Sequence, residues 1–304
     1  MRSRVVVTGL ALSAGLALGL APAGGTSAAP AGRAPATSVA RHEAATTKAE
    51  QRRIEGYWTP DRMRSAIPFP LKRDPLKGKP GGGSGGNAVQ ETAQPRFGKV
   101  FFTEGHTNYV CSGTATNSSN GDVVTTAGHC VNAGPGAYVT NFAFVPAYDH
   151  GNAPLGTWTA KTLLTTTQWA TAGDFDYDIG FAVMNENGSG QSLTQVTGGG
   201  QPIAFNLATG LSYQAYGYPA ARPFDGQSLW SCSGTVVPDT YGGSPDQGLA
   251  CNMTGGSSGG GWITAGGALN SVTSFGYTGV KNILWGPYFG DVIQATYQSA
   301  QSVR

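Results

Sequence analysis

The sequence predicts an all-β chain of two halves with six strands each, closed by a short helix. Three observations predict it. Runs rich in β-branched and aromatic residues recur at short intervals, glycine stands at 47 of 304 positions against a usual ~7%, and helical periodicity is almost absent past residue 97. Short strands broken by Gly, Asn, Asp and Pro suit two barrels or two sandwiches.

In chain order, residues 1–30 read as a secretory signal. Arg2 and Arg4 precede the uncharged run VVVTGLALSAGLALGL, and small residues with Ala-x-Ala-like sites follow. The run breaks up in Gly and Pro and is short for a membrane span of ~20 residues. An extracellular, secreted protein is expected, with no membrane contact after signal cleavage.

Residues 31–87 read as a pro-segment ending in the Gly-rich linker GGGSGGN, and residues 88–304 as the mature domain. Residues 41–79 carry ten Lys/Arg against five Asp/Glu, whereas 91–304 carry six against twelve. The basic stretch mixes signs and contains several prolines, which favours a pro-segment or solvated arm over a nucleic-acid-binding surface.

Six strand candidates then follow: KVFFTE from 99, NYVCSGTAT from 108, GDVVTTAG from 121, TNFAFVPAY from 140, TAKTLLTT from 159 and DIGFAVM from 178. The polar connection QSLTQVTGGGQPIAFN separates them from LSYQAYGYP (211), LWSCSGTVV (229), GLACNM (248), GGWITAG (260), LNSVTSFGY (269) and NILWGPYF (282). The halves span about 97–190 and about 200–304, and DVIQATYQSAQS reads as the terminal helix. Four cysteines, 111, 130, 232 and 251, form two pairs 19 residues apart, which suggests two local disulfides among the three pairings that four cysteines allow. Close Cys or Cys/His clusters of zinc-site spacing are absent, and no metal is expected.

Three stretches carry the chemistry. TTAGHC places His129 at the end of an apolar strand, beside a cysteine that can fix its turn through Cys111. DFDYDIGFAVM carries Asp174, Asp176 and Asp178, expected on one face of an extended strand. A calcium loop would need Gly and an acid where Ile179 and Asn185 stand. Asp178 leads into the apolar run, so it is the acid expected to be buried beside an imidazole, with Asp176 and Asp174 as fallbacks. NMTGGSSGGGW sets Ser258 among glycines that let the backbone approach a substrate carbonyl and aim N–H groups at a developing oxyanion, and core residues flank it, unlike the linker.

Chain order selects among nucleophile chemistries. An α/β-hydrolase places its His after the Ser, yet the histidines stand at 42, 106, 129 and 150. Subtilisin order would require an acid such as Asp122 ahead of His129, within a parallel sheet the pattern does not support. The order His129, Asp178, Ser258 remains.

With these motifs together, residues 97–302 resemble the chymotrypsin/trypsin-like serine endopeptidases, secreted bacterial ones in particular. TAGHC matches the family's TAAHC with Gly128 for Ala, YDIGF resembles its Asp-Ile-Ala-Leu stretch, and GGSSGGG its Gly-Asp-Ser-Gly-Gly-Pro. Ser274, Phe275 and Gly276 resemble the Ser-Trp-Gly edge that pairs with bound peptide. The resemblance implies two six-stranded antiparallel β-barrels, a catalytic set of His129, Asp178 and Ser258, an oxyanion hole at Gly256 and Ser258, protein or peptide substrates, a monomer and no cofactor. Ser257 replaces the Asp that, in digestive relatives, pairs with the new N-terminus, so activation is expected by simple unblocking. Asn252 stands where trypsin-like members place an Asp, and Thr273 where glutamyl endopeptidases place a His, leaving a neutral pocket for small or medium apolar side chains. A catalytically silent relative or a cell-surface binding protein would leave the ordered motifs unexplained.

Overall fold

The computed structural model describes residues 39–69, Arg73 and residues 86–304. The signal over 1–30 and most of the GGGSGGN linker lie outside the described residues. An N-terminal arm comprises β1 (Val39–Glu43), α1 (Lys48–Tyr57), α2 (Pro60–Ser65) and β2 (Ile67–Pro68), and β3 (Val89–Gln90) follows it.

The first barrel is built from β4 (Phe97–Glu104), β5 (Thr107–Thr116), β6 (Val123–Thr126), β7 (Thr140–Pro146), β8 (Trp158–Thr166) and β9 (Gly180–Met184), with α3 (Thr167–Ala172) between the last two strands. Pairing runs β7, β4, β5, β6, β9, β8 and returns from β8 to β7, so six antiparallel strands close on themselves. Closure leaves no free sheet edge, and alternate side chains fill the interior. Val100 and Phe102 point in with Val124, Phe144, Leu163 and Phe181.

The alternate residues Phe97, Phe101, Val110, Ala143 and Val145 point out, yet they are also buried. The arm covers part of this face, and Tyr216, Tyr218 and Leu229 of the second half cover the rest, Tyr216 stacking on Phe97 at 4.1 Å. β1 pairs antiparallel with Thr162–Thr166 of β8, and Ile54, Trp58 and Met63 pack on the outward rings, with Trp58 5.3 Å from Phe101 and its Nε1–H donating to the Asn141 carbonyl at 2.7 Å. Burying a side chain such as Ile54 or Met63 is worth about 1.5–3 kcal/mol. The arm is therefore not solvated, contrary to the charge-based expectation: its basic residues line the outer face of a capped amphipathic helix. Thr47 caps α1 in a reciprocal box with Glu50, and Thr59 caps α2 with Pro60 at its first position.

After α4 (Leu193–Val196) the second half contributes β10 (Ser212–Gly217), β11 (Trp230–Thr235), β12 (Val237–Pro238), β13 (Gln247–Ala250), β14 (Gly261–Thr264), β15 (Leu269–Val272), β16 (Ile283–Gly286) and the terminal helix α5 (Asp291–Gln301). Pairing runs β15, β14, β10, β11; β12 resumes the course of β11 beyond Val236 and pairs with β13, which pairs with β16. Phe275, just past β15, bridges Trp285 of β16 and completes the ring. The second barrel thus closes through one interrupted strand. The disulfide Cys232–Cys251, Cα atoms 5.7 Å apart, joins β11 to the end of β13 at that interruption.

Candidate active site

His129 lies in a 3-10 turn, Gly128–Cys130, directly after β6. The disulfide Cys111–Cys130 ties this turn to β5, Cα atoms 6.3 Å apart, so both cysteine pairs form locally. The turn also requires glycine at 128, because a Cβ there would lie 2.8 Å from both Asp178 Oδ1 and the Trp169 ring. Asp178 follows a second 3-10 turn, Phe175–Tyr177, and precedes β9. The three acids therefore do not share the face of an extended strand: Asp174 caps the turn by accepting the Asp176 N–H at 3.2 Å, Asp176 faces Arg73, and Asp178 turns inward.

Asp178 holds His129 with both oxygens. Oδ1 accepts the His129 backbone N–H at 2.8 Å and Oδ2 lies 2.8 Å from Nδ1, both side chains being fully buried. Ser274 donates its hydroxyl to the same Oδ2. The imidazole Nε2 is buried with no hydrogen-bond partner among the described residues. A ring fixed by its Nδ1 side leaves Nε2 as the atom for proton exchange. Trp169 and Phe69 pack on the ring with centroids 6.2 and 5.9 Å away.

Ser258 approaches from the second half in the turn between β13 and β14. Gly256 and Gly259 take φ +99° and +77°, which disfavours other residues. A Cβ on Gly259 would overlap Thr126 Oγ1 and sit 2.5 Å from the Ser112 carbonyl. The Ser258 carbonyl accepts the Ser112 N–H at 2.7 Å, and Ser112 Oγ donates to the Gly256 carbonyl at 2.9 Å and accepts the Tyr218 N–H at 2.8 Å. Ser112 thus joins β5 of the first barrel to the serine turn of the second, a role with no motif to reveal it. No acceptor among the described residues pairs with the N–H of Gly256 or Ser258.

A cavity of about 690 Å³ opens beside Ser258, lined by Asn252, Ser274, Phe275 and Gly276 among others. Asn252 does not stand free in it: its Oδ1 accepts the Ala88 N–H at 2.7 Å and its own N–H donates to the Gly86 carbonyl at 3.2 Å. Thr273 is buried and accepts the Trp262 indole N–H at 3.0 Å. Pro68 and Phe69 of the arm also line the cavity, a placement that nothing in their sequence announced.

No family model matches the chain. Its structure is similar to the crystal structure of protease Anisep from Arthrobacter nicotinovorans, with 52% identity and a TM-score of 0.69 over 71% of this chain and all of that one. It is similar also to the thermostable serine protease AL20 from an extremophilic microorganism, with 47% identity and a TM-score of 0.67 over 69% and 99% of the two chains. A Glu endopeptidase shares the fold at 18% identity and a TM-score of 0.57 over 73% and 99%. An extracellular metalloprotease of Bacillus subtilis (strain 168) is 27% identical over 162 residues, and the chain spans about half the length of that curated relative. The metal in that name finds no matching donors among the described residues: the one candidate group is Cys111, His129 and Cys130, whose two thiols are spent in a disulfide. At these identities and coverages, and with this fold, the chain belongs to the bacterial serine proteases of the chymotrypsin-like fold.

Proposed function

We propose that this serine endopeptidase works through Ser258, His129 and Asp178, and that it is exported as a precursor. The observation that carries the reading is the two-point clasp of Asp178 on His129, which leaves Nε2 without a partner among the described residues, next to Cys130, whose Sγ lies 3.9 Å from the Ser258 carbonyl. Ser258 Oγ attacks the scissile carbonyl while its proton passes to His129 Nε2, and Asp178 stabilises the imidazolium. The carbonyl oxygen, now an anion, is met by the Gly256 and Ser258 N–H groups. His129 then returns the proton to the leaving amine, leaving an acyl-enzyme. Water enters, gives a proton to Nε2, and the acid leaves as Ser258 recovers its hydrogen.

Export rests on the signal-like first 30 residues and the two disulfides, which suit an oxidising compartment. The precursor reading rests on Phe69, which stacks on the His129 ring, and on Pro68 and Phe69 lining the cavity. Cleavage beyond Arg73 would release them, with Gly86–Gln90 staying on the second half through Asn252 and β11. Labelling by a fluorophosphonate, read by intact mass, tests the nucleophile. One adduct on Ser258, absent from Ser258→Ala, is expected; a processed protein that takes no adduct overturns the assignment.

A further inference from the structure

Beside the proposed triad, the arm inserts one charged side chain into the cleft. The Arg73 backbone pairs with the edge that runs on from Ser274, its N–H donating to the Gly276 carbonyl at 3.2 Å and its carbonyl accepting the Thr278 N–H at 3.0 Å. Its guanidinium lies between three rings, 5.5 Å from the Phe175 centroid, 5.4 Å from Phe275 and 5.9 Å from Tyr277. Two carboxylates face it, Asp246 at 3.3 Å and Asp176 at 3.5 Å. Glycine at 242 lets this frame close up, since a Cβ there would overlap the Tyr277 hydroxyl and Asp239 Oδ2 and stand 3.3 Å from the Arg73 Cζ.

This cage is built into the enzyme and not improvised by the arm. Phe175 and Asp176 belong to the turn that carries Asp178, and Phe275 and Tyr277 belong to the edge beside Ser274. Tyr277 is held by its hydroxyl, which donates to Asp239 at 2.7 Å, and that carboxylate also accepts Ser244 Oγ and the N–H groups of Tyr241 and Gly242. Asp239 is therefore spent on the frame, while the Asp246 side chain is fully buried with Oδ1 unpartnered among the described residues. A buried carboxylate without full pairing is costly unless a cation meets it. Burial and the neighbouring Asp176 push Asp246 up to about 8 even with Arg73 in place. Removing Arg73 would leave two close carboxyl groups and three ring faces around a slot of guanidinium shape; Asp246 then takes up a proton, which an entering cation displaces.

We infer that the cage of Phe175, Asp176, Asp246, Phe275 and Tyr277 is a specificity subsite for an arginine side chain of the substrate, occupied in this chain by Arg73. As a statement about substrate choice it rests on the proposed active site; as a cation site it does not. The apolar-pocket expectation concerned the side chain next to the scissile bond, and the cage lies further along the edge, so the two preferences combine.

The test separates these parts. In the full chain with Arg73→Ala, added ethylguanidinium should raise the unfolding temperature saturably, whereas ethylurea, of the same shape without the charge, should not. Asp246→Asn in that background should abolish the difference, and Asp176→Asn should weaken it if the first variant fails to fold. Equal responses to the two probes would overturn the cation site. Peptides carrying one arginine or one citrulline at each position around the cleavage point are then hydrolysed by the enzyme recovered from culture. One position should favour arginine by about tenfold in kcat/KM, expressed in KM; equal values at every position would overturn the substrate assignment. Selective ethylguanidinium binding together with no hydrolysis of any peptide would count against the Ser258 reading and in favour of the cation site.

Discussion

The two halves of the proposed active site are held in position by opposite means. In the first barrel, His129 and Asp178 are fixed by what is present: two contacts from one carboxylate, a hydroxyl from Ser274, a disulfide behind the turn and the Trp169 ring against the imidazole. In the second, Ser258 is fixed by what is absent. Gly256 and Gly259 lack the Cβ that their positive φ would strain and that Thr126, Ser112 and Tyr218 leave no room for. A polar clasp can be weakened one bond at a time, whereas a steric fit fails with the first added methyl group. The two halves should therefore respond differently to conservative substitutions.

Asp178→Asn should have the largest effect on activity. The amide keeps the volume and one acceptor but cannot stabilise the imidazolium, and losses of roughly 10⁴ in kcat accompany this change in triads of this type. The fold should survive, so unchanged near-ultraviolet dichroism with kcat lowered by less than about tenfold would show that Asp178 is not the orienting acid. Gly259→Ala should come next, and it should act on the fold as well as on the site. Overlap with Thr126 Oγ1 and the left-handed backbone together cost about 2–4 kcal/mol, and displacement of Ser258 by a fraction of an ångström adds about 10² in kcat. A variant of normal stability and activity would show that the serine turn has room for a methyl group at residue 259. Ser274→Ala should be milder. It removes one hydrogen bond to Asp178 Oδ2 while leaving both contacts to His129, for about tenfold in kcat, with KM for peptide little changed. A KM effect alone would place Ser274 in peptide pairing and not in the clasp.

The same contrast explains what could be read from the sequence. The glycine-framed Ser258 and the cysteine beside His129 stand in contiguous motifs, and the twelve strand candidates match twelve barrel strands because their patterning is local. Ser112 was not legible, since its value lies in joining strand β5 to a turn 144 residues further along the chain. Nor was the course of the acids at 174–178, where a 3-10 turn replaced the expected strand. The arm was legible in part. The Thr47-x-x-Glu50 box and Thr59-Pro60 mark two helix starts, but the charge balance pointed to a solvated segment. VFF at 100–102 carried the missing clue, as a continuous apolar run in a strand means that both faces are covered.

Lys99 belongs to neither means of fixation and should show the smallest effect on activity, with its signature in stability. It sits in β4 with 1% of its surface exposed, donates to the Gly226 carbonyl at 2.8 Å, and lies 4.7 Å from the Tyr148 ring centre, where the two halves meet. Burial lowers its pKa to about 7, against an ordinary value of 10.5. Between those two values the unfolded chain holds a proton that the folded chain has released, so stability must rise with pH through this window. The charged form is penalised below it. Relative to Lys99→Met, the native chain should gain up to about 1.4 kcal/mol per pH unit between pH 7 and 10. Urea unfolding at four pH values, in a Ser258→Ala background to prevent self-digestion, measures this directly. Parallel curves would mean that the Gly226 carbonyl and the ring faces keep the ammonium charged, and that the junction of the barrels is held by a buried cation and not by a neutral amine.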